Sequence, residues 1–114
     1  MIVRYNEAYV QADNENMSRR ILAHNKDLML AEVVFHKKSD DPGLHKHPHK
    51  QIAYVTKGKF EFVTEGKGNA VLGAGDSIYF EPDVVHGGKV LEDDSRLLDI
   101  FTPQRDEFLE KQVT

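Results

Sequence analysis

The 114-residue chain contains no cysteine. That excludes disulfide stapling, thiol catalysis and every thiolate-type zinc site. Long hydrophobic runs are also missing. Uninterrupted apolar stretches such as Leu28 to Ala31 fall far short of the roughly 20 residues of a membrane span, and Arg4 and Glu7 break any signal-peptide pattern. A cytoplasmic protein without a membrane partner is expected. No block of Lys or Arg occurs, and 15 Lys+Arg against 19 Asp+Glu leave a formal net charge of −4, which makes nucleic acid a poor partner.

What is present is an ordinary globular composition, 39% hydrophobic and 30% charged. A chain of this size supports one core without staples and not two. The expectation is a single domain over 1–114, with its core roughly over 18–102. Gly and Pro fall singly at spacings of about ten residues, the punctuation of short strands. Strands are expected at Ile2–Tyr5, Ser18–Ala23, Leu28–Phe35, Gln51–Thr56, Lys59–Thr64, Asn69–Leu72, Ser77–Phe80 and Arg96–Phe101. In Lys59–Thr64 the alternation of Phe60 and Phe62 with Glu61 is that of a half-buried antiparallel strand. Asn6–Asn16 reads as an irregular entry segment. Near the end Thr102 is placed to cap a short helix with Pro103 at its first position, and the last four or five residues are expected to fray. The class is all-β, a sandwich or small barrel with a short C-terminal helix.

With thiols excluded, six histidines are the nitrogen ligands left for a transition metal. Three lie in His45-Lys46-His47-Pro48-His49-Lys50-Gln51. On a straight strand the ends of this run would stand about 20 Å apart, too far to share one ion. Pro48 is where the chain should bend and return Gln51 toward His45 and His47. A fourth candidate, His86, follows the corner Glu81-Pro82-Asp83. Taken alone, an H-x-H pair in a Lys-flanked turn is more often only a solvated loop.

The spacing of the whole set resembles the cupin superfamily. His45-x-His47, three residues, Gln51, six residues, Gly58 is similar to its first motif, and Gly75, Glu81-Pro82-Asp83, His86 to its second. The resemblance implies a double-stranded β-helix, a jelly-roll barrel. It implies a divalent transition metal, nickel, zinc, manganese or iron, on His45, His47, Gln51 and His86. His49 falls between the ligand positions and is expected beside them or at the surface; His24 and His36 match none. Gln51 stands where many cupins have Glu, so the ion would keep its full charge and the two-His, one-carboxylate set of iron oxygenases is absent. Val90 stands where the second motif often ends in Asn.

On the strand after His86, Leu98 and Ile100 share one face and Leu97, Asp99 and Phe101 the other. If the second face lines the lumen, Asp99 is a buried acid that needs a partner or a function. An Asp99–Arg105 ion pair closing the barrel mouth and a catalytic use weigh about equally on the residues alone. The tail Leu98-Asp99-Ile100-Phe101-Thr102-Pro103-Gln104-Arg105, ending in Phe108-Leu109, resembles that of the small single-domain cupins of the pectin-degradation type, the KdgF proteins, as do the H-x-H-P-H-x-Q run and the early Ser18–Leu22 strand. That resemblance implies conversion of a 4,5-unsaturated monouronate to its linear keto form, with Asp99, Phe101 and Arg105 as catalytic residues and a sugar acid as the small-molecule partner. Competing readings are another metal-dependent cupin enzyme, a dioxygenase or cyclase, a non-enzymatic small-molecule binder, or a metal-free storage use of the fold. An open sheet edge needs cover, and a homodimer through Ile2–Tyr5 is the default expectation.

Overall fold

The structure is a computed structural model and describes residues 1–12 and 14–110. Among the described residues nine antiparallel strands occur: β1 (Tyr9–Ala12), β2 (Met17–Asn25), β3 (Leu28–Phe35), β4 (Lys50–Lys57), β5 (Lys59–Thr64), β6 (Gly68–Gly73), β7 (Ser77–Phe80), β8 (His86–Val90) and β9 (Ser95–Thr102), followed by helix α1 (Asp106–Glu110). Six pair in the order β1-β2-β3-β9-β4-β7 and three in the order β6-β5-β8. The two sheets face each other across a jelly-roll lumen.

Alternation along each strand decides what enters that lumen. On β4 Gln51, Ala53 and Val55 are buried while Ile52 and Tyr54 are exposed, and on β9 Ser95, Leu97, Asp99 and Phe101 are buried. One apolar cluster joins the two sheets through Val33, Val55, Phe60, Phe62, Phe80 and Leu97. A second lies at the helix end of the lumen, where Ile21, Met29, Ala31 and Phe101 receive Phe108 from α1. Each Val, Leu, Ile, Phe or Met side chain so removed from water contributes about 1.5–3 kcal/mol. The polar site lies between the clusters.

Three strands differ from the sequence expectation. Ile2–Tyr5 is not a strand: Ile2 is 84% exposed, Tyr5–Glu7 is a 3-10 turn, and the edge strand is β1, inside the segment expected to be irregular. Its residues pair with β2 because Tyr9 faces Ile21 and packs on the second cluster, whereas Ile2 finds no apolar face. The other missed element is β8, which pairs with β5 from Thr64↔His86 to Phe60↔Val90. Two consecutive glycines hide it in the sequence, and the packing requires both. A Cβ on Gly87 would meet the Pro42 carbonyl oxygen at 2.1 Å, and one on Gly88 would meet the Phe62 ring at 3.0 Å. Val90 fills a core position, and its backbone exchanges both hydrogen bonds with Ser39.

Gly87→Ala is therefore expected to destabilise the fold by about 2 kcal/mol or more, because the obstructing atom is backbone and cannot rotate away. The midpoint of urea unfolding checks it, and a midpoint unchanged from the parent would show that the Pro42 loop yields freely.

The tail helix also starts later than expected. Thr102 is still in the ladder, paired with Lys50, so it cannot serve as a cap; α1 begins at Asp106, and the Phe108 amide donates to the Arg105 carbonyl. Arg105 thus precedes the first turn. The last residues expected to fray lie outside the described residues.

Candidate metal centre

Pro48 and His49 form the bend that the sequence suggested, and the chain turns there from the His45–His47 segment into β4. Paired backbone bonds hold the segment down. The amides of His45 and His86 each donate to the other's carbonyl at 3.0 and 2.9 Å, and the Asp83 amide donates to the His47 carbonyl at 2.8 Å. Asp83 adopts φ 61°, so this corner occupies the left-handed region that Asp tolerates better than most residues.

The result brings together four of the residues singled out from the sequence. Ring nitrogens of His45, His47 and His86 lie within 4.8 Å of one another. Gln51 Oε1 stands 2.9 Å from His47 Nε2 and 3.3 Å from His86 Nε2. Each histidine donates its Nδ1–H to a backbone carbonyl: His45 to Gly43 at 2.7 Å, His47 to His49 at 3.1 Å, and His86 to Val84 at 2.9 Å. That fixes the tautomer and leaves every Nε2 with a lone pair. The Gln51 amide is oriented from its other end, where Nε2 donates to Asp99 Oδ1 at 2.8 Å. In those tautomers the Nε2 lone pairs of three imidazoles and the oxygen of one amide converge.

Acceptors this close repel unless a cation lies between them. Ligand atoms about 2.0–2.1 Å from one ion stand roughly 2.9–3.4 Å apart in octahedral or tetrahedral sets, matching the two Gln51 contacts. The donor chemistry fits a divalent first-row ion.

Burial keeps the set ready for that role. Burial lowers the pKa of His47 below its ordinary value, and that of His86 to about 4. Phe80 stacks on the His86 ring at 4.1 Å and 12°, and Phe101 meets His47 edge-on at 5.9 Å, so both ring planes are set by packing. His49 contributes its carbonyl, and its ring lies 5.5 Å from that of His47. His24 bonds Gln104 and His36 is exposed, both outside the cluster.

Asp99 and Phe101 face the lumen as the alternation required, at 8% and 2% exposure. Burial raises the Asp99 pKa to about 6, opposed by the Gln51 hydrogen bond and then by the charges of Arg19 and Arg105. The Asp99–Arg105 ion pair does not form: Arg105 donates to Glu107 instead. Its guanidinium stands 5.1 Å from the Phe101 ring centroid. His45, Gln51, His86, Asp99, Phe101 and Arg105 all line one cavity of about 640 Å³. Arg19 lines it too. The sequence reading passed over Arg19, although its place between Met17 and Ile21 on an alternating strand put it on the inner face.

Among known proteins, the Cupin_2 family, described as cupin domain, matches residues 31–101. The chain is 40% identical over 96 residues to the pectin degradation protein KdgF of Dickeya dadantii (strain 3937), covering 83% of this chain and 86% of that protein. Its structure is similar to that of KdgF from Halomonas sp., with a TM-score of 0.85 and 34% identity over 95% of this chain and 97% of the other. It is also similar to an RmlC-like cupin from Shewanella frigidimarina NCIMB 400, with a TM-score of 0.84 and 30% identity over 94% of both chains.

Proposed function

The chain belongs to the cupin domain family, and from that premise we propose that it is a metal-dependent enzyme converting a 4,5-unsaturated monouronate into its linear keto form. One observation carries the proposal. Gln51 turns its oxygen to the histidine nitrogens and its N–H to Asp99, so a buried acid lies one side chain away from the metal centre in the same cavity. Similarity to proteins named for pectin degradation supports a sugar acid as the substrate class.

His45, His47, Gln51 and His86 would hold the ion, which supplies a Lewis acid that polarises a bound sugar oxygen. Opening the sugar transfers one proton from the anomeric hydroxyl to C4, as the C1–O5 bond breaks and C5 becomes the ketone. Asp99 would move that proton: it lines the cavity, is bonded to Gln51, and burial raises its pKa to about 6. Arg105 exchanges Glu107, whose side chain is 48% exposed, for the substrate carboxylate, a role suited to its planar fork. Phe101 is the apolar wall against which the ring is held.

Protein loaded separately with nickel, zinc, manganese or iron should remove the absorbance of the 4,5 double bond from unsaturated galacturonate or mannuronate without consuming oxygen. Turnover that requires oxygen would replace this reading with a dioxygenase. No turnover with any of the four metals would overturn the proposal.

A further inference from the structure

Arg19 is a cation on the inward face of β2. Its neighbours on that face, Met17 and Ile21, pack on the first and second apolar clusters, and its partner across the ladder is the buried Val33. A charge so placed costs free energy unless the surroundings compensate it. Part of the compensation is visible: Nη1 donates to Oε1 of the buried Gln11 at 2.8 Å, and the guanidinium lies 3.9 Å from the Phe108 ring centroid. Arg105 stands 4.5 Å from the same centroid. Two guanidinium groups thus share one aromatic ring at the wall of the cavity that also holds Asp99 and Gln51. Two cations that line one cavity favour an anion within it, and a planar carboxylate matches the guanidinium fork.

We propose that Arg19 is a specificity-determining residue that, together with Arg105, forms a two-guanidinium clamp on the carboxylate of a sugar-acid ligand, with Gln11 and Phe108 holding its fork in place. This rests on the uronate reading above and deepens it. The chain carries a net charge of −4, so an anion must be drawn in by local cations, and Arg19 is one that faces the lumen. Arg105 sits at the tail and has Glu107 as an alternative partner. Arg19 is set in the sheet, so the clamp has one fixed jaw and one that can change partner.

The test uses metal-loaded protein, with D-galacturonate as a non-reacting probe in calorimetry and unsaturated galacturonate in turnover. Arg19→Gln should weaken galacturonate binding roughly 10- to 100-fold, the loss expected for charge-assisted hydrogen bonds. It should raise KM by a similar factor while kcat stays within about threefold and metal content is unchanged. Arg19→Lys should fall between, because it keeps the charge and loses the fork. Wild-type protein should lose at least the same affinity toward the methyl ester of galacturonate, and Arg19→Gln should distinguish ester from acid less than the wild type does, by the share that Arg105 still supplies.

A melting temperature lowered in Arg19→Gln with galacturonate affinity unchanged would assign Arg19 to holding Phe108 and overturn the clamp. Wild-type protein that fails to bind galacturonate would overturn it as well. Wild-type protein that binds galacturonate through Arg19 but turns over no unsaturated uronate would overturn the reaction and leave the clamp standing.

Discussion

Asp99→Asn is expected to lower turnover of unsaturated uronates by about 10²- to 10⁴-fold, the range for removal of a positioned acid or base, with metal content unchanged. The asparagine is nearly isosteric and keeps an oxygen to accept the Gln51 N–H that Asp99 accepts at 2.8 Å, so the orientation of Gln51 toward the histidines survives. Only the transferable proton is lost. At 1.36 kcal/mol per tenfold the expected cost is roughly 3–5 kcal/mol in the transition state. Asp99→Ala would not make this separation, because it strands a buried N–H at a cost of about 1–3 kcal/mol and frees the amide to turn. Initial rates from the absorbance loss, with elemental analysis of the same sample, decide the matter. A variant within threefold of the parent, carrying the same metal, would remove Asp99 from the chemistry.

The inward direction of Asp99 was legible because β9 alternates cleanly, and Leu97, Asp99 and Phe101 could only share a face. The same regularity made β3, β5 and β7 readable to their end residues. The bend at Pro48 followed from chain geometry, since four ligands on one straight strand cannot reach one ion. What the sequence concealed has physical causes of two kinds. β8 carries Gly87-Gly88, which reads as a loop; the glycines are there because Pro42 and Phe62 press on that backbone, a fact of tertiary contact with no local signature. β1 and the late start of α1 are likewise decided by partners distant in sequence, Ile21 for one and the continued β9 ladder for the other. Arg19 was concealed differently: its alternation was visible, yet a charged residue on a strand reads as solvent-facing until the opposite sheet is in view. The tautomers of the histidines also depend on carbonyls of Gly43, His49 and Val84 that only the folded corners bring into range.

Those tautomers lead to the second large effect. With Nδ1–H of each ring turned to a carbonyl, His45, His47 and His86 offer Nε2 to one point beside Gln51 Oε1, and an ion held there would bind the folded state alone. At a free metal concentration a thousandfold above Kd the folded state gains about 4 kcal/mol. For a domain of this size that corresponds to a rise in Tm of about 15 °C. His86→Ala should abolish the rise, since it removes one of the four proposed ligands and the ring that Phe80 fixes by stacking. His36→Ala, at an exposed position outside the cluster, should keep the rise in full. Melting curves of all three proteins with and without added nickel or zinc, after prior chelation, check the assignment on stability alone and need no substrate. If His86→Ala gains as much from the metal as the parent does, the binding lies elsewhere and the converging lone pairs are not its site. If the parent gains nothing while its absorbance assay runs at full rate after chelation, the reaction proceeds on Asp99 and the arginines without an ion, and the amide of Gln51 serves to position the acid.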